Sequence, residues 1–283
     1  MIDKGFTKKG EFMGSEKYGT KLVAIDMDGT ALEPDKTLSS VTLEAIKKAM
    51  ERGIIVVPAS GRCYDGIPKE LLDTGLPYVI TANGGAITDA RTGQHIYENE
   101  IPFDCALRLV KSLKPMEGVL YVQSMDQYFQ DRTYVEKGKQ VHPFAGLSDE
   151  GIVEDIVTFV VENGRSLQKV GILLFDEDTE KRALALQTEF PELQVLKTDY
   201  LCVEFNAATA SKGEALKVLA QMLHLDREEV MAVGDSENDL TMLRFAGKSV
   251  AMGNALDLVK ETAAYQTKSN EESGLAWALE HIL

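Results

Sequence analysis

The sequence predicts an α/β protein built on a parallel sheet, with an α+β domain inserted into the chain. Short apolar runs near both ends of the chain, typical of strands buried on both faces, alternate there with amphipathic helical segments. The stretch between them has a different texture of strands and helices. We therefore expect a disordered leader at residues 1–20, a core formed by residues 21–85 and 206–283, and an inserted domain at residues 86–205.

The first elements form a strand–helix–strand unit. Leu22–Ile25 is a continuous apolar run that ends in Asp-Met-Asp-Gly-Thr. A helix is expected from Ser39 or Ser40 to a C-terminal cap at Gly53, because apolar residues recur at helical spacing between them. Residues 54–57 are the next apolar run. A unit of this length is right-handed and makes its two strands parallel.

The C-terminal part of the chain repeats this logic. Ser211-Lys212-Gly213-Glu214 is a capping box, and the residues after it have the apolar stripe of an amphipathic helix. Residues 230–233 predict a buried strand that again ends in a glycine and a carboxylate, Gly234 and Asp235. Residues 249–252 predict one more short strand. The two ends of the chain therefore supply similar elements to one sheet.

The central stretch predicts a domain of its own. Residues 118–125, 169–175 and 193–205 predict strands, whereas residues 104–114 and 179–190 predict helices. These elements alternate along the chain. We interpret this stretch as an inserted α+β domain.

Composition restricts the partners of the protein. Thirty Lys and Arg residues against 45 Asp and Glu residues give a net charge of −15. Such a surface repels nucleic-acid backbones and anionic lipids, so neither nucleic acid nor membrane is expected as a partner. The three cysteines have no paired spacing, and the leader lacks the apolar segment of a secretory signal. We expect a cytoplasmic protein.

Two carboxylates follow the first strand at positions i and i+2. Asp26 and Asp28 lie where parallel α/β sheets bind their ligands. Like charges this close are costly unless a cation lies between them or one of them keeps a proton. Gly29 permits a close backbone approach to a ligand, and Thr30 offers a hydroxyl group to an anion. The pair predicts a divalent metal and a division of labour between nucleophile and proton carrier.

Further polar residues follow the other core strands. Ser60 ends the second strand, Lys212 opens a helix, and Asp235 ends a later strand. In a parallel sheet all these loops emerge at the carboxyl edge, where they suit phosphoryl transfer. Mg²⁺ prefers oxygen ligands and keeps several waters, so Asp26, the backbone carbonyl of Asp28 and Asp235 suffice as its protein ligands.

These segments resemble the four ordered motifs of the haloacid dehalogenase superfamily, specifically its Cof-type (subfamily IIB) phosphatases. The similarity extends beyond them to the segments at residues 83–85, 251–255 and 270–275. It implies a Rossmann-like core, an α/β cap inserted between the second and third motifs, and Mg²⁺-dependent hydrolysis of small phosphate monoesters. The motifs that carry the resemblance are Asp26-Met27-Asp28-Gly29-Thr30, Ser60-Gly61-Arg62, Ser211-Lys212-Gly213 and Gly234-Asp235-Ser236-Glu237-Asn238-Asp239.

The resemblance implies a role for each motif residue. Asp26 is expected to attack phosphorus and form an aspartyl-phosphate, while Asp28 protonates the leaving oxygen and later activates water. Ser60 and Lys212 are expected to hold the phosphoryl oxygens. Asp235 would bind Mg²⁺ directly. Threonine is more usual in the family than Ser60, but the hydroxyl donor is kept.

The remaining expected site residues lie around these groups. By the resemblance, Asn238 lies near the phosphate, and Asp239 orients Lys212 or a metal-bound water. Gly61, Arg62 and Asn83 follow strands at the same edge. For Arg62 and Asn83, substrate contact and loop-stabilising hydrogen bonds are equally compatible with the sequence.

The predicted function is hydrolysis of a small phosphorylated metabolite, a sugar phosphate or a phosphorylated cofactor. The insert is expected to supply substrate specificity. Two alternatives stay open at this point. A phosphomutase would use the same core to pass the phosphoryl group to a sugar hydroxyl, and a metabolite-binding protein would have no turnover.

Overall fold

The computed structural model describes residues 19–142 and 150–283. The described chain divides into two compact units. Unit 1 contains the residues up to Arg62 together with Gly66–Tyr97 and Ser211–Leu283, and unit 2 contains Cys63–Asp65 and Glu98–Ala210. The expected disordered leader lies outside the described residues, apart from its last two positions.

The described strands have two to seven residues and the described α-helices four to twelve. The strands are β1 (Leu22–Ile25), β2 (Ile55–Pro58), β3 (Tyr78–Thr81), β4 (Ala86–Asp89), β5 (Gln94–Glu98), β6 (Gly118–Ser124), β7 (Gln127–Asp131), β8 (Ile152–Val153), β9 (Lys169–Leu174), β10 (Leu193–Asp199), β11 (Cys202–Ala207), β12 (Val230–Gly234), β13 (Lys248–Ala251) and β14 (Tyr265–Gln266). The helices are α1 (Ser40–Glu51), α2 (Lys69–Leu72), α3 (Phe103–Leu113), α4 (Val135–Val141), α5 (Ile156–Asn163), α6 (Glu177–Ala185), α7 (Lys212–Met222), α8 (Leu240–Phe245), α9 (Asp257–Thr262) and α10 (Gly274–His281). Among the described residues, none of these helices has both the length and the apolar character to cross a bilayer.

A parallel sheet forms the centre of unit 1. Its strand order is β14-β13-β12-β1-β2, and every neighbouring pair is parallel. All four residues of β1 and all five of β12 are buried, which explains why both read as continuous apolar runs. The prediction of an α/β protein with a parallel sheet is confirmed, and the helix expected after Ser39 is α1, with Ser39 as its N-cap.

A second sheet extends unit 1 beyond the boundary expected from the sequence. It has the order β3-β4-β5, and β3 pairs with β4 in antiparallel register, with Ile80 opposite Ile87. Residues 86–97, which the sequence predicts as part of the insert, therefore lie in unit 1. The reason is the tight turn at Asn83-Gly84-Gly85, which folds β4 directly back onto β3.

Unit 2 contains a sheet with the order β10-β11-β9-β6-β7-β8. Its pairs are antiparallel except β7 with β8. Residues 193–205 do not form one strand, as the sequence predicted, but the hairpin of β10 and β11. The turn passes through Leu201, which has a positive φ of 56° although it is neither glycine nor asparagine. One face of the sheet packs on an apolar core shared with α3, α5 and α6.

The carboxyl edge of the parallel sheet in unit 1 positions the polar residues predicted from the sequence. Asp26 follows the last residue of β1, and its backbone N–H donates to the carbonyl of Val233 in β12. Ser60 follows β2, and Asp235 follows β12 directly. Three neighbouring strands thus end within one short stretch of the sheet edge and deliver their loops to the same place.

Candidate active site

Three carboxylates converge at the edge of the parallel sheet. Oxygen atoms of Asp26, Asp235 and Asp239 all lie within 4.8 Å of one another. The residues are 5%, 9% and 0% exposed, respectively. Carboxylates are hard oxygen donors, which suit Mg²⁺, Mn²⁺ or Ca²⁺. The donor set therefore fits a divalent cation of that class.

A buried lysine, Lys212, bridges two of these three carboxylates. The Lys212 ammonium donates to Asp26 Oδ1 at 2.5 Å and to Asp239 Oδ1 at 2.6 Å. Ser211 caps the N-terminus of α7 by accepting from the N–H of Glu214, which fixes where Lys212 enters the site. Burial alone would lower the pKa of Lys212, but Asp239 and Asp26 raise it above its usual value. Lys212 is therefore a fixed positive charge.

The carboxylates themselves are held in place by hydrogen bonds. Asp235 Oδ1 accepts from the Thr30 hydroxyl at 2.9 Å, and Asp239 Oδ2 accepts from the backbone N–H groups of Asp235 and Ser236. Burial, and then the charge of Asp239, raise the pKa values of both Asp26 and Asp235. Buried acids that repel one another in this way favour a bound cation.

Gly29 allows the loop after β1 to approach Asp235. Its φ is +84°, and a Cβ atom there would lie 2.5 Å from Asp235 Oδ2. A side chain at this position would therefore displace the carboxylate. The glycine in the Asp-Met-Asp-Gly-Thr motif is explained by this close approach.

Asp28 does not belong to the cluster of Asp26, Asp235 and Asp239. Its carboxylate is paired with two cationic side chains. The Arg62 guanidinium donates from Nε to Asp28 Oδ2 at 2.8 Å and from Nη2 to Oδ1 at 2.7 Å. The Lys36 ammonium lies 2.9 Å from Oδ1. Burial alone would raise the pKa of Asp28, but Arg62 and then Lys36 lower it far below its usual range. In this conformation Asp28 is an ionised acceptor.

Hydrogen bonds among predicted site residues connect the loops that follow β2, β3 and β12. Ser60 is buried, and its hydroxyl oxygen accepts from the N–H of Arg62, while its carbonyl accepts from the N–H of Asn83. The amide of Asn238 donates to Asn83 Oδ1 at 3.1 Å. A Cβ on Gly61 would lie 2.8 Å from the same Asn83 oxygen, so Gly61 leaves room for this amide pair.

Three residues that contact the loop after β1 were not predicted from the sequence. Asn254 Nδ2 donates to the carbonyl of Gly29, and Asn270 Nδ2 donates to the carbonyl of Leu32, each at 2.8 Å. The N–H of Asn270 donates to Asn254 Oδ1. Lys36 is the third. The resemblance marked the segments of Asn254 and Asn270 without giving them a role, and nothing in the local sequence distinguishes Lys36.

The fold and this site define an α/β enzyme class in which carboxylates and a lysine meet at the carboxyl edge of a parallel sheet. The model of the haloacid dehalogenase-like hydrolase family matches residues 23–279. The chain therefore belongs to the haloacid dehalogenase-like hydrolases.

Curated relatives and solved structures agree with this assignment. The 5-amino-6-(5-phospho-D-ribitylamino)uracil phosphatase YwtE of Bacillus subtilis is 29% identical, over 93% of this chain and 98% of its own. An HMP-PP phosphatase of Serratia proteamaculans is 31% identical, over 85% of this chain and 86% of its own. The crystal structure of a haloacid dehalogenase-like hydrolase from Bacteroides thetaiotaomicron superimposes with a TM-score of 0.81 at 28% identity, covering 93% of this chain and all of that one.

Proposed function

We propose that this hydrolase is a Mg²⁺-dependent phosphatase that cleaves small phosphate monoesters through an aspartyl-phosphate on Asp26. The observation that carries the proposal is the buried group of Asp26, Asp235 and Asp239 with the Lys212 ammonium across it. Phosphoryl transfer needs positive charge around the phosphoryl oxygens and a nucleophile held in line. In this proposal the Asp26 carboxylate is the nucleophile. The Lys212 ammonium and a cation bound by Asp26 and Asp235 supply the positive charge.

The residues divide the work as follows. Asp26 attacks phosphorus, while Lys212 and the Ser60 hydroxyl hold phosphoryl oxygens as charge builds up on them. Asp26, Asp235 and the backbone carbonyl of Asp28 hold Mg²⁺, which when bound neutralises phosphoryl charge. Asp239 keeps Lys212 in place through its hydrogen bond.

Asp28 is the proposed general acid and, after the leaving group departs, the general base. The acid role requires a proton on Asp28, which its ion pairs with Arg62 and Lys36 oppose. We therefore propose that Arg62 turns away from Asp28 when substrate is bound and contacts the substrate instead, as Asn83 and Asn238 do. Release from the guanidinium restores a pKa at which the carboxyl can carry a proton.

The substrate is proposed to be a small phosphorylated metabolite, a sugar phosphate or a phosphorylated cofactor. The names of the two relatives described above support a small organic phosphate as the substrate class. Unit 2 is proposed to act as the cap that supplies substrate specificity.

The proposed location is the cytoplasm. Cys63, Cys105 and Cys202 are all buried and none of the three forms a disulfide, which suits a reducing compartment. The net charge of −15 supports the proposal that neither nucleic acid nor a lipid surface is a partner.

The test is phosphate release from a panel of phosphorylated metabolites, with and without Mg²⁺, by the wild-type protein and Asp26→Asn. We expect release that requires Mg²⁺ and is abolished by the substitution. Isomerised sugar phosphate without free phosphate would instead identify a phosphomutase. Tight binding with no turnover of any ester would identify a metabolite-binding protein.

A further inference from the structure

A buried turn in unit 1 has three consecutive residues with a left-handed backbone. Ala82, Asn83 and Gly84 lie between β3 and β4 with φ values of 50°, 56° and 96°, and all three are buried. We call residues 82–84 the left-handed turn. Glycine and asparagine adopt a positive φ at little cost, but alanine does not. Backbone strain of this kind persists only where the surrounding contacts enforce it, and it is concentrated at functional sites.

Backbone hydrogen bonds tie the left-handed turn to the loop that follows β2. The N–H of Asn83 donates to the carbonyl of Ser60 at 2.9 Å, and the N–H of Ala82 donates to the carbonyl of Arg62 at 3.0 Å. The turn is closed by the N–H of Gly85, which donates to the carbonyl of Ala82 at 3.0 Å. The first two residues of the turn are therefore fixed by a loop of the candidate active site.

The third residue of the turn contacts the N-terminus of α7. A Cβ atom on Gly84 would lie 2.1 Å from the carbonyl oxygen of Ser211 and 2.9 Å from the backbone nitrogen of Lys212. Both are backbone atoms, which cannot turn aside as the end of a flexible side chain can. The first turn of α7 therefore packs directly on Gly84, and no side chain fits between them.

This contact lies at the residue that carries the ammonium group of the site. Lys212 is 1% exposed, and its ammonium donates to Asp26 Oδ1 at 2.5 Å and to Asp239 Oδ1 at 2.6 Å. An enclosed side chain with both of these bonds has little freedom to compensate for a movement of its own backbone. The position of α7 at Gly84 therefore determines the position of the ammonium.

We propose that Gly84 is a positioning residue for the reaction: the left-handed turn sets where α7 begins and so holds the Lys212 ammonium beside Asp26. The turn is fixed on one side by the loop of Ser60 and supports Lys212 on the other. It thereby keeps a constant spacing between the two residues that are proposed to hold phosphoryl oxygens. What Lys212 does there rests on the proposed function, whereas its placement by the turn does not.

The first experiment measures kcat for 4-nitrophenyl phosphate with Mg²⁺ in Gly84→Ala. The added Cβ must displace either the turn or the start of α7, so we expect kcat to fall about 10- to 100-fold. Gly53→Ala is the matched control. Gly53 has a φ of +80°, and among the described residues no atom other than those of its chain neighbours lies within 4 Å of a Cβ built there. This control introduces similar backbone strain without the contact, so kcat should be unchanged.

The same substitution in a Lys212→Met background separates positioning from general damage. A residue that acts through Lys212 has nothing left to position once the ammonium is gone. Gly84→Ala should therefore lower kcat by no more than about twofold in that background. A merely structural defect would lower kcat by the same factor in both backgrounds.

Labelling of lysines with acetic anhydride, followed by peptide mass analysis, tests the placement without turnover. Lys169 of unit 2 is 1% exposed, as Lys212 is, and serves as the internal reference. In Gly84→Ala we expect the labelling of Lys212 relative to Lys169 to rise several-fold, because the ammonium leaves its two carboxylates. Gly53→Ala should leave this ratio unchanged.

Ala82→Gly is the second variant, to be used if Gly84→Ala does not fold. Glycine adopts the φ of residue 82 without strain, but it also adopts other conformations, so the turn becomes looser while the protein still folds. The labelling ratio should rise and kcat should fall, each by less than in Gly84→Ala.

Several results would overturn the proposal. They are an unchanged kcat or labelling ratio in a folded Gly84→Ala protein, an equal loss of kcat with and without Lys212, and a similar loss in Gly53→Ala. If Gly84→Ala does not fold, an unchanged kcat and labelling ratio in Ala82→Gly overturn it. Absence of phosphate release by the wild type from every ester would refute the proposed function instead, and the labelling ratio would still test the turn.

Discussion

The Arg62 guanidinium holds both carboxylate oxygens of Asp28, at 2.8 and 2.7 Å. This pair joins the loop after β2 to the loop after β1. The ion pair with Arg62 thus keeps the residue proposed as the general acid ionised, and Lys36 is a second cation beside it. The effect of these ion pairs on the pKa of Asp28 can be measured through the pH dependence of turnover.

Arg62→Gln should shift the pH profile of turnover upwards. Arg62 lowers the pKa of Asp28, so its removal raises that pKa. An acid works only while protonated, so the pH at which kcat/KM for an alkyl phosphate falls should be higher than in the wild type. Arg91→Gln is the matched control, because Arg91 holds Asp89 by two similar bonds in an exposed turn. Identical profiles for both variants and the wild type would contradict the account.

Asp235→Asn should weaken the binding of Mg²⁺. The substitution replaces one of the three clustered carboxylates by an uncharged amide. We expect the Mg²⁺ concentration for half-maximal activity to rise about 10- to 100-fold. Asp257→Asn changes an exposed acid at the start of α9 and should leave the titration unchanged. The same Mg²⁺ titration in both variants would remove Asp235 from the ligand set.

Asn254→Ala should reduce turnover although Asn254 is not expected to touch substrate. Its amide ties the carbonyl of Gly29 to Asn270, and Gly29 lies between Asp28 and Thr30. Loosening this loop should lower kcat about tenfold with little change in KM, and more for alkyl than for aryl phosphates, since alkyl leaving groups depend more on the acid. Equal losses for both kinds of ester would show a general structural role. Asn99→Ala breaks an exposed amide contact to Thr209 and serves as the control.

Asp131→Asn should destabilise unit 2 at neutral pH. Burial alone would raise the pKa of Asp131, but hydrogen bonds from Lys114, Thr133 and Ile156 lower it below its usual value. A folded pKa below the unfolded value of about 3.9 means that the stabilisation is complete above about pH 5 and is lost as the pH falls through the folded pKa.

The measurement for Asp131 is the free energy of unfolding in denaturant at pH 7 and at pH 3. We expect Asp131→Asn to lower it by about 1–2 kcal/mol at pH 7 and by less at pH 3. Asp178→Asn, whose side chain is 92% exposed, should change neither value. An equal loss at pH 7 and pH 3 would show that the charge of Asp131 does not contribute.

The positions of most site residues could be predicted because they lie at strand ends. Asp26, Ser60 and Asp235 follow buried strands, and parallel pairing brings such ends together whatever the distance along the chain. The Arg62 contact with Asp28 could not be predicted in this way. It depends on the reach of a flexible side chain, as does the contact made by Lys36, and no periodicity reports on either.

The elements of unit 2 were harder to predict than those of unit 1. The hairpin turn at Leu201 has no glycine, proline or asparagine to mark it, so 193–205 resembled one long strand. The helix α5 was not predicted, because a run of Ile, Val and Phe has strand propensity, and its burial against the sheet outweighs that preference. Local preference was overridden by tertiary packing in this case.

Trapping of the reaction intermediate tests the central claim most directly. Borohydride reduces an aspartyl-phosphate to homoserine, and peptide mass analysis of the quenched protein locates that change in the sequence. During Mg²⁺-dependent turnover the account predicts homoserine at position 26 and at no other aspartate. Homoserine at another position, or steady phosphate release with residue 26 unmodified, would contradict it.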